Sequence, residues 1–419
     1  METRVAATVF SRRRLVGVGE DDEMRILFTT HPAYGHFHPM LSLATALRNA
    51  GHDVRFASGD RFGETIRATG FDSYPVGLDW LESDKSGMPD ELRPAPGCTL
   101  EDYFAQQFVT ATAASVALDI IALAETWKPH VIVRERTEFG GAIAADSLGV
   151  PVAAVQVGSS NLFTSALLRS IEPAYNIART QVHLPADVGL GALESHVVLS
   201  AAPPQLHDPE VPSPHNLVAL CPTALDRAAD ARLPDWTAEL GLHRPLVYAT
   251  LGTVFNNPAY ELPFFPAVLA GLQDESMDLV ITVGPNGDPT SLEPHPTNVR
   301  VERYLPQSLL FPRCSIVICH AGTGTLLAAI EHAVPIIAVP FGADQHINAR
   351  SIERLGIGAI IDQDDLTPER IRDVVHSLLR DPTAKNNIAR LRDSTHRLPT
   401  IDHAVHIVEH LAESSPTPT

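Results

Sequence analysis

Cysteine and positive charge are both scarce in this chain, and each scarcity excludes something. Four cysteines in 419 residues (Cys98, Cys221, Cys314 and Cys319) are too few for a disulfide framework. Cys314 and Cys319 flank an apolar run that reads as a strand, which would hold them roughly 16 Å apart, beyond bridging distance. A reducing, cytoplasmic setting is expected. Lys and Arg number 31 against 50 Asp and Glu, a formal charge of -19. Nucleic acid and anionic membranes are recognised through excess positive charge, so neither is an expected partner. No apolar run reaches the roughly 18 residues expected of a membrane span.

What is present is ordinary globular material: 44% hydrophobic residues argue against extended disorder. The length exceeds one ordinary core, so two domains are expected. From Met24, short apolar runs alternate with longer helical stretches, which is the pattern of parallel α/β structure. Residues 1–23 are set apart as a disordered extension, because Arg12, Arg13 and Arg14 follow a short apolar stretch, the wrong order for a signal peptide. Five prolines between Ala201 and Pro214 mark a linker. The expected organisation is a first domain over 24–215, a second over 216–400, and a helix and tail over 401–419. That helix is a candidate to pack back on the first domain. Each of the two domains reads as a doubly wound, Rossmann-like unit, the pair facing a central cleft. In such sheets ligands bind beyond the carboxyl ends of strands, so the turns there are the places to look for chemistry.

One such turn is 320–325, His-Ala-Gly-Thr-Gly-Thr, between an apolar strand and a helix. Gly322 and Gly324 leave no Cβ in the way of a close anion. Free amides at the helix start favour negative charge, and His320, Thr323 and Thr325 add donors. The glycine spacing is neither that of the dinucleotide fingerprint nor that of the P-loop. A turn of this kind can also bind nothing, and its surroundings decide. Residues 303–325, continuing through 334–340 to 342–349 (Gly-Ala-Asp-Gln-His-Ile-Asn-Ala), closely resemble the donor-binding signature of family-one glycosyltransferases, in particular bacterial enzymes that decorate antibiotics and other natural products. The resemblance covers essentially Met24 to the C-terminal helix and is tightest over 248–349.

That resemblance implies a GT-B architecture and a nucleotide-sugar donor, dTDP- or UDP-linked. Leu305 and Gln307 would lie beside the nucleobase. His320, Ala321, Gly322, Thr323, Gly324 and Thr325 would meet the diphosphate, and Asp344 and Gln345 the sugar hydroxyls. Gly252 and Thr253, after the first strand of the second domain, would border the donor from below. Asp344 has a second reading as a helix N-cap.

In the first domain, Gly35-His36-Phe37-His38-Pro39 matches the family's Gly-His-x-x-Pro, whose histidine is the general base. A neutral imidazole is suited to taking a proton from an acceptor hydroxyl near pH 7. A structural role for His36 stays open. A metal role for His36 and His38 lacks an Asp, Glu or Cys partner set, so no metal is expected. The family orients its base with an acid at the end of the fourth strand. Glu135 stands there, one methylene longer than the usual Asp; Glu138 is a substitute, and a solvated pairing with Arg134 or Arg136 is the alternative. Trp80, Phe104, Phe108 and Phe163 are candidates either for an apolar acceptor pocket or for plain core. The expectation is an inverting, metal-independent transfer of a sugar, perhaps deoxygenated, to a small hydrophobic acceptor, with no cofactor and with a homodimer as one option for its assembly. The rival readings are an epimerase of the same fold and an inactive partner protein.

Overall fold

The computed structural model describes residues 23–82, 87–93, 95, 97–194, 196–222, 232–252, 262–284, 287–342 and 344–414. The sequence-derived extension 1–23 lies outside them except for Glu23, as does Thr253.

Among the described residues, the first sheet holds seven strands: β1 (Arg25–Thr29), β2 (Asp53–Ser58), β3 (Asp72–Pro75), β4 (Val131–Glu135), β5 (Val152–Gln156), β6 (Val197–Ser200) and β7 (Leu217–Ala219). The second holds six: β8 (Leu246–Thr250), β9 (Asp278–Thr282), β10 (Val299–Glu302), β11 (Ile316–Cys319), β12 (Ile336–Ala338) and β13 (Gly358–Ile360). Their orders are β3-β2-β1-β4-β5-β6-β7 and β10-β9-β8-β11-β12-β13, and every pairing is parallel. Helices cover both faces of each sheet, so central strands such as β4 (Val-Ile-Val-Arg-Glu) and β8 (Leu-Val-Tyr-Ala-Thr) are buried throughout.

Strand order reverses between β1 and β4 in one sheet and between β8 and β11 in the other. Beyond the carboxyl ends of strands at such a reversal, the outgoing connections diverge and leave a crevice. The carboxyl ends of β1, β4, β8 and β11 and the segments that leave them carry His36, Glu135, Gly252 and His320, so the topology collects the chemistry at two facing crevices.

Three strands, β6, β7 and β13, were not expected from the sequence. The first sheet also reaches beyond residue 215, because β7 pairs with β6 through Val198 and Leu217. Residues 100–127 divide into Leu100–Ala105, a π-helical turn at Gln106–Thr110, and Ala113–Trp127. The segment from Glu101 to Trp127 is long and apolar enough by composition to cross a membrane, contrary to the expectation above. Val109, Ala113, Ala117 and Ile120 on it are nevertheless fully buried in the core of the first domain, and it is a packing helix.

The last helix, Ile401–Glu413, packs not on the second sheet but on the first, with Ala404, Val405 and Val408 buried among Ile26, Phe28, Phe37 and Phe56. His52 binds Glu409 across this contact at 3.2 Å. Burying a valine fully contributes about 1.5–3 kcal/mol. Deleting residues 401–419 is therefore expected to lower the unfolding temperature by at least about 5 °C, read by differential scanning calorimetry. An unchanged transition would show that the helix adds nothing to the first domain.

Candidate active site

The first crevice is built on β1 and β4. Helix Tyr34–Asn49 begins five residues after β1 ends and holds His36 in its first turn. The last residue of β4, Glu135, is fully buried and meets His36: Nδ1 lies 3.0 Å from Oε2. Thr137 clamps the carboxylate, its amide donating to Oε1 at 2.9 Å and its hydroxyl to Oε2 at 2.5 Å. His31, also buried, hydrogen-bonds the Thr137 carbonyl through Nε2 at 2.9 Å. A carboxylate can only accept, so in the neutral imidazole the His36 proton sits on Nδ1 and the Nε2 lone pair is left for a ligand.

Burial opposes charge on His36, but the charge and hydrogen bond of Glu135 outweigh it and raise the imidazole from 6.5 to about 9. Glu82 and Asp344 add to the rise, so the acid expected at the donor sugar is felt by the histidine across the cleft. Burial would push Glu135 up, yet His36 draws it down to about 2. Each member of the pair thus favours the charged form of the other. His31 is pushed the other way, to about 4, by burial against the pull of Glu135, and stays neutral.

Glu138 does not share this role. Its carboxylate accepts from the Thr29 hydroxyl at 2.5 Å and from the amides of Gly140 and Gly141, at the start of helix Gly140–Leu148. Nor are the arginines solvated partners of Glu135. Arg134 is buried and donates to the carbonyls of Arg136, Glu138 and Leu193. Arg136 donates to Gln156 and Asn161 and lies over the Phe163 ring at 4.4 Å. Of the aromatic candidates, Trp80 and Phe163 are buried core, whereas Phe104 and Phe108 are half-buried. Phe108 comes within 4.6 Å of the His31 ring and 5.9 Å of the His36 ring, an apolar wall beside the dyad.

The second crevice is built on β8 and β11. Helix Thr323–Glu331 follows β11, with Gly322 at its N-cap position. Its first free amides face the turn, where anions are favoured. The His320 ring is packed between two glycines. A Cβ at Gly322 would stand 2.3 Å from Nε2, and one at Gly252 would stand 2.6 Å from Cε1. Gly252 also has φ +69°, a conformation that side chains resist. Burial lowers His320 to about 4, so it offers a neutral N–H and not a cation. Ala321 adopts φ +64° without being glycine; its carbonyl is turned toward the Asn348 amide, at 2.8 Å. Gly324 is exposed and Thr325 is buried in the first helical turn.

Asp344 stands at the N-cap position of helix Gln345–Arg354, but its side chain does not cap. Instead Oδ2 accepts from the Thr323 hydroxyl at 2.8 Å and from Asn348 at 3.0 Å. Two of the expected donor contacts take different positions. Gln345 is buried and its amide oxygen accepts from the backbone of Phe341 and Gly342, which shapes the turn; only Asp344 of the pair is partly exposed. Leu305 is buried among Leu310, Phe311 and Tyr248, because its alternation with Tyr304 points it into the core. Gln307 is half-buried and starts a polar chain: it donates to the Tyr248 hydroxyl at 3.2 Å, which pairs with Thr282 at 2.8 Å, which donates to Thr250 at 3.0 Å. Thr250 in turn accepts from the Gly252 amide at 3.2 Å, so the chain braces the glycine against His320. Thr137, Asn348, Tyr248 and Thr282 were not singled out from the sequence. Asn348 lies inside the motif 342–349, which was the available signal for it.

With this geometry in hand, comparison with known proteins gives one answer. Residues 267–411 match the family described as erythromycin biosynthesis protein CIII-like, C-terminal domain. L-demethylnoviosyl transferase of Streptomyces niveus is 30% identical, over 90% of this chain and 95% of that protein. Aclacinomycin-T 2-deoxy-L-fucose transferase of Streptomyces galilaeus is 27% identical, over 93% and 96%. The crystal structure of the glycosyltransferase VinC in complex with dTDP superposes with a TM-score of 0.77 at 24% identity, covering 93% of this chain and 100% of that one. Near-complete coverage in both directions joins the two crevices into a single architecture: the chain belongs to the family-one glycosyltransferases of the GT-B fold and is a nucleotide-sugar-dependent enzyme.

Proposed function

We propose that this enzyme transfers a deoxysugar from a dTDP-linked donor to a hydrophobic natural-product acceptor, with inversion and without a metal ion. The observation that carries the chemistry is the His36–Glu135 pair, 3.0 Å apart, on the domain facing Asp344. The names of its relatives support the substrate classes: one moves 2-deoxy-L-fucose onto an aclacinomycin, and another was crystallised with dTDP.

In this reading Nε2 of neutral His36 takes the proton of the acceptor hydroxyl. The hydroxyl oxygen forms a bond to the anomeric carbon while the bond from that carbon to the diphosphate breaks, and dTDP leaves with the electron pair. Attack from the face opposite the leaving group inverts the centre. The imidazolium formed is stabilised by Glu135, which Thr137 holds at both oxygens. The charge that develops on the diphosphate meets the amides that open helix Thr323–Glu331 and the His320 N–H, donors already in place before reaction. Phe104 and Phe108 offer the acceptor an apolar surface beside the base.

A donor and acceptor screen with mass-spectrometric product detection tests the reading. Transfer is expected with a dTDP-deoxysugar and to persist in EDTA. At a hundredfold excess over its dissociation constant, dTDP is expected to stabilise the fold by about 2.7 kcal/mol. Activity that disappears in EDTA and returns with magnesium would overturn the metal-independent mechanism, and preference for a UDP-hexose would overturn the donor class.

A further inference from the structure

The loop after β5 belongs to the acceptor domain, yet it hydrogen-bonds the donor turn directly. Ser159 and Asn348, 189 positions apart, are both fully buried, and the Ser159 hydroxyl donates to the Asn348 amide oxygen. The Ser159 amide donates to the Thr323 hydroxyl at 3.2 Å. On the other side, the Asn348 NH2 serves the Ala321 carbonyl at 2.8 Å and Asp344 Oδ2 at 3.0 Å, with Thr323 Oγ1 at 3.3 Å.

The direction of every bond follows from the chemistry of the groups. A carboxylate accepts only, so Thr323 must spend its one hydrogen on Asp344 and has lone pairs left for Ser159 and Asn348. Asn348 uses both amide hydrogens within the donor domain, so its oxygen must be served from elsewhere. Ser159 serves it. Neighbouring contacts hold the serine in place. Ser160 accepts from the Asp208 amide at 2.9 Å, and Asn161 is held by Arg136 at 2.8 Å and by the Pro212 carbonyl. Helix Gln345–Arg354 is tied to the segment after β6 as well, through Ser351 to Leu206 and Arg354 to Gln205.

We propose that Ser159 is a positioning residue of the donor site although it sits on the acceptor domain: through Asn348 it sets Thr323 and Asp344 for the donor sugar, and it does so only when the two domains are docked. The consequence is a coupling. The sugar is gripped in its reactive orientation when the cleft that brings His36 toward it is closed, and an open cleft leaves the buried Asn348 oxygen without its donor. This inference rests on Asp344 meeting the donor sugar.

The test is a mutant cycle of Ser159→Ala, Asn348→Ala and the double variant, with kcat, donor KM and dTDP affinity measured for each. dTDP lacks the transferred sugar that Asp344 is expected to meet, and alanine keeps the backbone amide that serves Thr323, so Ser159→Ala is expected to bind dTDP within about twofold of wild type. Its kcat is expected to fall about tenfold, the cost of leaving a buried acceptor unserved. In the Asn348→Ala background the serine substitution is expected to change nothing further. Unchanged kcat in Ser159→Ala, or the same fall in both backgrounds, would overturn the coupling. Should Asn348→Ala not fold, Asn348→Ser, too short to reach Ser159, takes its place in the cycle. Asp344→Asn separates the two ideas. If it retains wild-type donor KM and kcat, the sugar contact itself has failed. If it is impaired while Ser159→Ala is not, only the coupling has failed.

Discussion

His36→Ala is expected to lower turnover about a hundred- to ten-thousand-fold, the range for loss of a positioned general base, while dTDP binds as before. The separation follows from geometry: His36 rests on the β1 side of the cleft, and the turn expected to hold the diphosphate follows β11 on the other domain. Turnover equal to wild type would remove His36 from the mechanism. Glu135→Gln is the more telling partner variant. An amide still accepts from Nδ1–H, but it carries no charge to stabilise the imidazolium formed in the transition state, and kcat is expected to fall about a hundredfold.

The pH profile gives the same assignment a sign. The base acts only as neutral imidazole, and Glu135 holds His36 protonated up to about 9. kcat/KM in the wild type is therefore expected to climb through the neutral range, reach half its maximum near pH 9 and level off only above that. In Glu135→Gln the charge that raised His36 is gone, while burial, which lowers it, remains. The limb moves to acid. A limb at the same pH in both proteins would show that Glu135 does not set it. Stability follows by linkage. The contribution from His36, whose folded value is raised, is complete below 6.5 and is lost as pH rises through about 9. The contribution from Glu135, whose folded value is lowered, is complete above 4.5 and is lost as pH falls toward about 2.

Much of this site was legible because its parts lie at strand ends, where local pattern and topology speak together. The runs that became β1, β4, β8 and β11 each hold at least three consecutive apolar residues, and each leads into a turn that carries the polar residues or glycines of the site. Strands β6, β7 and β13 are three or four residues long, and β7 follows directly on the proline-dense stretch that argued for a linker. Side-chain direction was harder. Leu305 and Gln345 lie in the right segments, but a sequence match places a segment, not the face to which each residue turns. Least legible was the contact of Ser159 with Asn348. Nothing near either residue announces the other, because the bond exists only once two domains have folded and met.

Gly322→Ala is expected to weaken dTDP binding about ten- to a hundredfold, even though the substituted atom need not touch the ligand. The new methyl would stand 2.3 Å from Nε2 of His320, with Cε1 at 2.8 Å, so the ring must leave its place. It has no room to retreat on the other side, where Gly252 packs against the same ring. A displaced His320 loses the hydrogen bond it is expected to give the diphosphate, and bonds to a charged group contribute about 1.5–3 kcal/mol. Overpacking adds a loss of stability of about 1–3 kcal/mol in the free protein, visible as a lower unfolding temperature. Gly324→Ala supplies the contrast, since among the described residues nothing beyond its own helical backbone and chain neighbours lies within 4 Å of its added methyl. The free protein should then unfold at the wild-type temperature or slightly above, because alanine favours the helix that Gly324 helps to open. Any loss of dTDP affinity in that variant must come from the ligand itself meeting the methyl. Equal unfolding temperatures for the two variants would mean that the ring between the glycines is not held as tightly as its packing requires.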